Sequence, residues 1–428
     1  MLQTLKNAWR VDELRRKLIF TAIILILYRL GCAIPVPFVD SATISEWFAG
    51  NSENLLGYFS VINGEAFSQA TLFALSISPY ITASIVMQLL SVAIPALERL
   101  SKEGPEGQKK ITQITRYVTV VLALVTAFGY YKALDSRKAL TADGWFVGFV
   151  VVFSYCAGAA LIMWLGEKIN DHGIGNGISM ILFANIVSSF PSMFNSMIQY
   201  GKQGSSDKII YVALAGVVVL MVAIIFFVVW ITNSERRIPI QYAKRQMGRR
   251  VYGGSSSNLP IKLNMSGVMP IIFAQSIVAL PSTLALIFGW ETDKGLFQYF
   301  SMTSYIGVAV NFALIIAFSY FYITISFNPI EVANNLKKNG GTITGIRPGK
   351  PTTDYIVKVL NRITLIGALF LGFIAVFPQV LNWLFPRLGM GSLVFGGSSL
   401  LIVVGVVLET FRELEGQITM RNYKGFLS

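Results

Sequence analysis

The sequence predicts an all-α integral membrane protein with ten spanning helices. Three observations carry that expectation. Only 13% of the 428 residues are charged and 54% are hydrophobic, whereas a soluble domain carries about 25% charged residues. The apolar residues fall in long blocks, near the roughly 20 residues that cross a bilayer as a helix, and a helix in lipid satisfies its own backbone. The lysines and arginines gather in alternate segments between those blocks.

The blocks place the spans at roughly 18–37, 70–94, 114–132, 145–166, 176–198, 208–232, 267–289, 304–327, 362–385 and 392–411. The first follows Lys6, Arg10, Arg15, Arg16 and Lys17, as the core of a signal peptide does, but it is too long for that role and no small-residue cleavage site follows. Arg29, three residues before Cys32, argues against a lipoprotein site. The second and fifth blocks are interrupted by Ser, Thr, Asn and Pro. The fourth and sixth are unbroken. Segments 1–17, 95–116, 167–175, 233–266, 328–362 and 412–428 hold 27 of the 35 lysines and arginines; the opposite segments hold seven, and Arg29 lies inside a span. The positive-inside rule puts those basic segments, and both termini, in the cytoplasm. The first external loop, 38–69, has no Lys or Arg but carries Asp40, Glu46, Glu53 and Glu65.

Little in the chain suggests chemistry. It has two cysteines, Cys32 and Cys156, and one histidine, His172. That is too few for a zinc or redox pattern, so no metal or cofactor is expected. Hydrolase, metalloprotease and nucleotide-loop motifs are absent from the sequence. Gly173–Gly177 (GIGNG) resembles a phosphate loop weakly, but it follows a helix, and the better reading is a tight cytoplasmic turn. A secondary transporter of a small solute, the alternative function, buries paired charges at mid-membrane. Here charges inside the spans are few: Arg29 is the main one, and Glu409 sits near the cytoplasmic end of the tenth. An intramembrane enzyme needs a catalytic pair that the spans lack.

The net charge of +13 sits between apolar blocks, so it reads first as orientation and second as docking. Segment 233–266 carries Arg236, Arg237, Lys244, Arg245, Arg249, Arg250 and Lys262. Segment 328–362 carries Lys337, Lys338, Arg347, Lys350, Lys358 and Arg362. Each is longer than a connection needs. Each is either a topology determinant or a protruding hairpin that offers Arg to an acidic partner or to RNA phosphates. Segment 50–70 is apolar but broken by Asn63, Gly64 and Glu65, which fits a short re-entrant helix or a helix on the external surface. The second span carries Ser76, Ser78, Pro79, Thr82, Ser84 and Gln88, and the seventh Ser266, Pro270, Gln275 and Ser276. That polarity suits a bundle interior, a wet cavity or a separable seam, and equally ordinary helix packing.

Five stretches resemble the SecY family, the large pore-forming subunit of the bacterial Sec protein translocation channel. They are SPYITAS at Ser78–Ser84, GIGNGIS at Gly173–Ser179, ERRIPIQYAKRQMGRRVYGG at Glu235–Gly254, NPIEVANNLKKNGGTITGIRPG at Asn328–Gly349 and FGGSSLLIVV at Phe395–Val404. The resemblance implies two inverted, pseudo-symmetric halves of five spans, 1–200 and 201–428, around a central hourglass pore. It implies a pore ring of Ile77, Ile81, Leu182, Ile186, Ile272 and Ile402. The pairs Ile77/Ile81 and Leu182/Ile186 are spaced to face one way on a helix, which is also ordinary for a packed interior. Segment 57–69 matches the family's plug (Phe59, Val61, Ile62, Asn63, Gly64 and Phe67). Spans two and three against seven and eight, with Gln88 and Gln275, match its lateral gate. The expected function is a protein-conducting channel that passes unfolded preproteins and releases signal sequences and transmembrane segments sideways into the lipid bilayer. The expected location is the bacterial plasma (inner) membrane. Expected partners are SecE- and SecG-like small subunits, the SecA motor ATPase and the ribosome, with rRNA contacts. Docking falls to Arg347 first, then Arg236, Arg237, Lys244, Arg245 and Arg250.

Overall fold

The computed structural model describes residues 2–41, 43–44, 65–142, 144–192, 195, 198, 208–242, 245–247, 250–252, 256–288, 304–384 and 397–424. Each expected span has its helix: α2 (Asp12–Gly31), α4 (Ser78–Ala93), α6 (Pro105–Ser136), α7 (Trp145–His172), α8 (Gly177–Ser188), α9 (Lys208–Asn233), α10 (Met269–Phe288), α11 (Tyr305–Ser326), α13 (Lys350–Leu384) and α14 (Gly397–Lys424). Four stretches among the described residues are by themselves long and apolar enough to cross a bilayer: 105–136, 145–172, 305–338 and 350–381. Shorter helices complete the set: α1 (Leu2–Arg10), α3 (Glu65–Ser68), α5 (Pro95–Lys102) and α12 (Pro329–Lys338).

Helix ends depart from the hydropathy blocks in instructive ways. The first helix stops at Gly31, short of the expected residue 37. This puts Arg29 in the last turn, exposed, where a cation meets the negative end of the helix dipole and not the bilayer centre. The second span does not begin at 70. Thr71–Ile77 form a non-helical connector, with Ser76 at φ 50°, and the helix starts at Ser78-Pro79, where proline suits the first turn. Ile94 is extended (φ −106°, ψ 114°), as a residue before proline prefers. There the chain bends by 100° into α5. Helix α13 starts at Lys350 and α14 ends at Lys424, so both run well past the apolar blocks into polar sequence.

The segments that follow α2, precede α4 and join α6 to α7 are clipped together. Leu72 N–H donates to the Ile34 carbonyl (2.9 Å), Asp40 N–H to that of Ala139 (2.9 Å) and Thr141 N–H to that of Phe38 (3.0 Å). Helices α2, α4, α7, α8, α9, α10, α11, α13 and α14 meet in one large apolar core. A second core lies between α6, α7 and the external segments. Apolar side chains also line outer faces: Phe146, Phe149, Phe153 and Trp164 on α7, and Val219, Val222, Phe226 and Trp230 on α9, are all exposed. In water such stripes would be a liability; against lipid they are the expected surface.

In the first basic loop, β1 (Glu235–Tyr242) and β4 (Ser256–Lys262) form a hairpin, in the antiparallel register Glu235↔Lys262. The short strands β2 (Arg245–Met247) and β3 (Arg250–Tyr252) pair at its tip. The second basic loop forms no hairpin of its own. It folds as α12 followed by β5 (Gly341–Ile343), and β5 joins the far edge of β1. Along β1, Ile238 and Ile240 point inward and their neighbours outward, the alternation of a half-buried strand. With Ile261, Leu336, Ile343, Ile356 and Leu360 they close a small apolar core.

Candidate functional site: an apolar waist and a basic cytoplasmic face

The six residues expected at the pore ring come from four separate stretches of chain. Ile77 caps the start of α4 and Ile81 lies one turn later. Leu182 and Ile186 are on α8, Ile272 is on α10 and Ile402 is on α14. All six are buried, between 1% and 6% exposed, and all six belong to the same apolar core. Helix α8 reaches this core because the GIGNG turn is tight. Gly175 takes φ 82°, and the Asn176 side chain accepts from Ile178 N–H (3.0 Å) and Ser179 N–H (3.4 Å) as an N-cap. Gly177 lies so close to α7 that a Cβ there would stand 1.9 Å from the Gly166 carbonyl oxygen. Two distant helices hold the turn: Thr21 Oγ1 of α2 accepts from Ile174 N–H (3.1 Å), and Glu413 of α14 accepts from Gly175 N–H (2.9 Å).

Three polar residues beside these aliphatics were not singled out in the sequence as a group. Tyr28 OH donates to Asn185 Oδ1 (2.5 Å), and Asn185 Nδ2 donates to Ser76 Oγ (2.8 Å), all buried. The signal was present in principle: Asn185 interrupts an otherwise apolar run on α8.

Of the expected plug residues, Phe59, Val61, Ile62, Asn63 and Gly64 lie outside the described residues. Phe67 is placed on α3 and is buried in the second core, not in the core of the six aliphatics; its neighbour Ala66 belongs to the latter. Two tyrosines hold this segment by its backbone. Tyr130 OH donates to the Phe67 carbonyl (2.8 Å) and Tyr155 OH to that of Ala70 (3.2 Å). At the expected gate, α10 packs against both α4 and α6. Gln275 is buried on α10, and Gln88 is half-buried on α4 with its amide donating to Ser84 Oγ at 3.4 Å.

In the second basic loop, Arg347 is exposed on the turn between β5 and α13. Gly345 (φ 82°) and Gly349 (φ 106°) shape that turn in a region that glycine adopts without penalty. The Thr352 hydroxyl donates to the Arg347 carbonyl (2.9 Å), which pins the backbone. The guanidinium makes no ion pair among the described residues. Arg236 and Arg237 are exposed on β1, and Arg237 bonds Glu235 at 2.8 Å. Arg245 and Arg250 fall in β2 and β3, and Lys244 lies outside the described residues. Burial and the neighbouring Arg412 lower the Lys262 ammonium below its ordinary range. Arg412 in turn caps α9, donating to the Thr232 carbonyl (2.8 Å) and Asn233 Oδ1 (2.9 Å).

Comparison with known proteins agrees with this architecture. A SecY family model matches residues 71–411. The chain is 41% identical over 445 residues to the protein translocase subunit SecY of Streptomyces scabiei, with 100% of both chains covered. To that of Corynebacterium glutamicum it is 40% identical over 443 residues, covering 98% of this chain and 99% of the other. Among solved structures, one described as the structure of a protein conducting channel superposes with a TM-score of 0.68 at 18% identity, over 94% of this chain and 91% of that one. Sec61 in a canine ribosome-channel complex superposes with a TM-score of 0.64 at 17% identity, over 94% and 91%.

Proposed function

The chain belongs to the SecY family, and from that premise we propose how its parts conduct a polypeptide. It is a multi-pass membrane protein and a subunit of a protein-conducting channel. Ile77, Ile81, Leu182, Ile186, Ile272 and Ile402 form the waist. A narrow apolar constriction resists wetting and so blocks ions. It also offers no strong hydrogen bonds, so an unfolded chain slides through it. Segment 57–69 closes the pore from outside, tethered at its end by Tyr130 and Tyr155. Parting of α10 and α11 from α4 and α6, at Gln275 and Gln88, opens a side exit. An apolar segment leaves through it into lipid, driven by about 25 cal/mol per Å² of buried surface.

Arg347, on the turn after β5, and Arg236 and Arg237 on β1 dock a ribosome or a SecA-like motor, with Lys244, Arg245 and Arg250 of the same basic segment as further docking residues. The chain carries no nucleotide motif and is not itself an enzyme. Such a partner, or the membrane potential, supplies the drive, and SecE- and SecG-like small subunits complete the assembly. The distribution of lysine and arginine supports a bacterial inner-membrane location with both termini cytoplasmic.

The observation that carries this reading is the burial of all six aliphatics, drawn from four stretches of sequence, in one apolar core. Disulfide capture tests it. A stalled translocating chain with one cysteine should cross-link to cysteines placed at positions 77, 186, 272 and 402 alike, and not to one placed at the lipid-facing position 153. Equal capture at 153, or none at the four, contradicts the waist.

A further inference from the structure

Ile77 and Ile186, two of the six waist residues, come from different elements, and the residue before each is polar. Ser76 precedes Ile77, and Asn185 precedes Ile186. The two are hydrogen-bonded to each other, Asn185 Nδ2 to Ser76 Oγ at 2.8 Å, and Tyr28 on α2 donates to the other end of the same amide at 2.5 Å. Tyr28 and Asn185 are 0% exposed and Ser76 is 1% exposed. One side-chain amide therefore joins α2, α8 and the connector ahead of α4, at the level of the waist.

The connector needs holding. Ser76 sits at φ 50°, a region that a residue with a side chain keeps only when its surroundings over-determine it. Tyr28 grips the connector a second time, its ring stacked on Phe73 at 5.7 Å between centroids. Phe73 in turn accepts the Ser76 N–H at its carbonyl (2.9 Å). Apolar packing would bury this site at lower cost, because a buried amide must be paired at both ends. A hydrogen-bonded amide supplies what packing does not: a fixed distance and direction between two elements.

Resting on the reading of the six aliphatics as the waist, we propose that Asn185 is a positioning residue: the Tyr28–Asn185–Ser76 brace fixes the spacing of Ile77 and Ile186, and it keeps the brace's polar atoms paired beside a seal that must stay dry. An unpaired amide here would attract the water that the waist excludes.

The test is the resting ion conductance of the full chain in planar bilayers. Asn185→Leu should raise it roughly tenfold, the scale set by leaving buried polar partners unpaired. Ser76→Ala and Tyr28→Phe, each a single-atom deletion, should raise it less, and they decide the matter if Asn185→Leu does not fold. Adding Ser76→Gly to Asn185→Leu should lower the leak again, because glycine takes a positive φ unaided. Ile240→Asp, in the small core of the sheet, should lower thermal stability and leave conductance unchanged. If Ile77→Gly leaks while Asn185→Leu, Ser76→Ala and Tyr28→Phe stay tight, the brace is wrong and the waist stands. If Ile77→Gly does not leak either, both fall. A leak in Asn185→Leu that Ser76→Gly does not reduce overturns the claim that the brace holds the Ser76 backbone.

Discussion

The helical bundle and the small β-sheet both bury isoleucine, yet their surroundings obey opposite rules. Around the sheet the solvent is water. Ile238, Ile240, Ile261 and Ile343 turn inward, and Arg236, Arg237 and the lysines of α12 stay outside. Within the bilayer the outside is as apolar as the core, so the hydrophobic effect does not tell inward from outward. Helix α7 carries Phe149 and Phe153 on its outer face and buries Ile162 and Ile169. In this region the packing is specified by small and polar groups: the close approach of Gly177 to Gly166 and the paired amide of Asn185. The comparison teaches that one substitution should act differently in the two regions, and that a glycine or an asparagine can matter more than a phenylalanine.

The largest expected effect attacks the membrane side of that contrast. Gly177→Val places carbon where the Gly166 carbonyl lies and should cost about 3 kcal/mol or more. It should be seen as loss of folded, membrane-inserted protein, whereas the lipid-facing change Phe153→Ala should stay within about 0.5 kcal/mol. Comparable losses from both would erase the distinction. On the water side, Ile240→Asp buries a charge in a small core and should cost about 3 kcal/mol. Limited proteolysis should then cut segment 233–266 while the resting ion barrier stays intact; a leak would mean that the two regions are not independent.

Smaller effects sharpen the account. Arg347→Glu touches no ion pair among the described residues, so thermal stability should shift by less than about 0.5 kcal/mol while partner-driven export is lost. Export that survives would remove the docking role. Smallest is Lys262→Gln. The lowered pKa of Lys262 means that the folded state disfavours the charged form, a penalty present in full below its folded pKa. Removing the charge should stabilise the chain slightly, because Lys262 is exposed and solvent screens the penalty. Titration of unfolding should show that gain fading as pH rises through the folded pKa of Lys262 toward the ordinary lysine value near 10.4. A gain that grows with pH would reverse the sign.

The number and order of the spans were legible in the sequence because each apolar block reports one crossing, and the alternation of basic segments fixes the count. Helix ends were less legible. Hydropathy detects lipid, not helix, so it missed the polar first turns of α13 from Lys350 and the extension of α14 to Lys424. The non-helical connector 71–77 is apolar enough to pass for a span, and its departure rests on a local turn at Ser76. The pairing of β5 with β1 joins residues near 240 and 343, and no local pattern announces such a contact. The GIGNG turn was readable from its glycines, and three of the six aliphatics, Ile77, Ile81 and Ile402, lie in or directly beside motifs that identify the family. The Tyr28–Asn185–Ser76 brace was not readable, because three residues far apart in the chain meet only once the helices have packed.

Ion conductance across a bilayer that contains the purified chain with Ile77→Gly, Ile81→Gly and Ile186→Gly addresses the waist most directly. The account predicts a tight resting channel in the unaltered protein and a steady leak in the variant, with the ion barrier of Ile240→Asp unchanged as the reference. A variant as tight as the original would mean that the seal lies elsewhere.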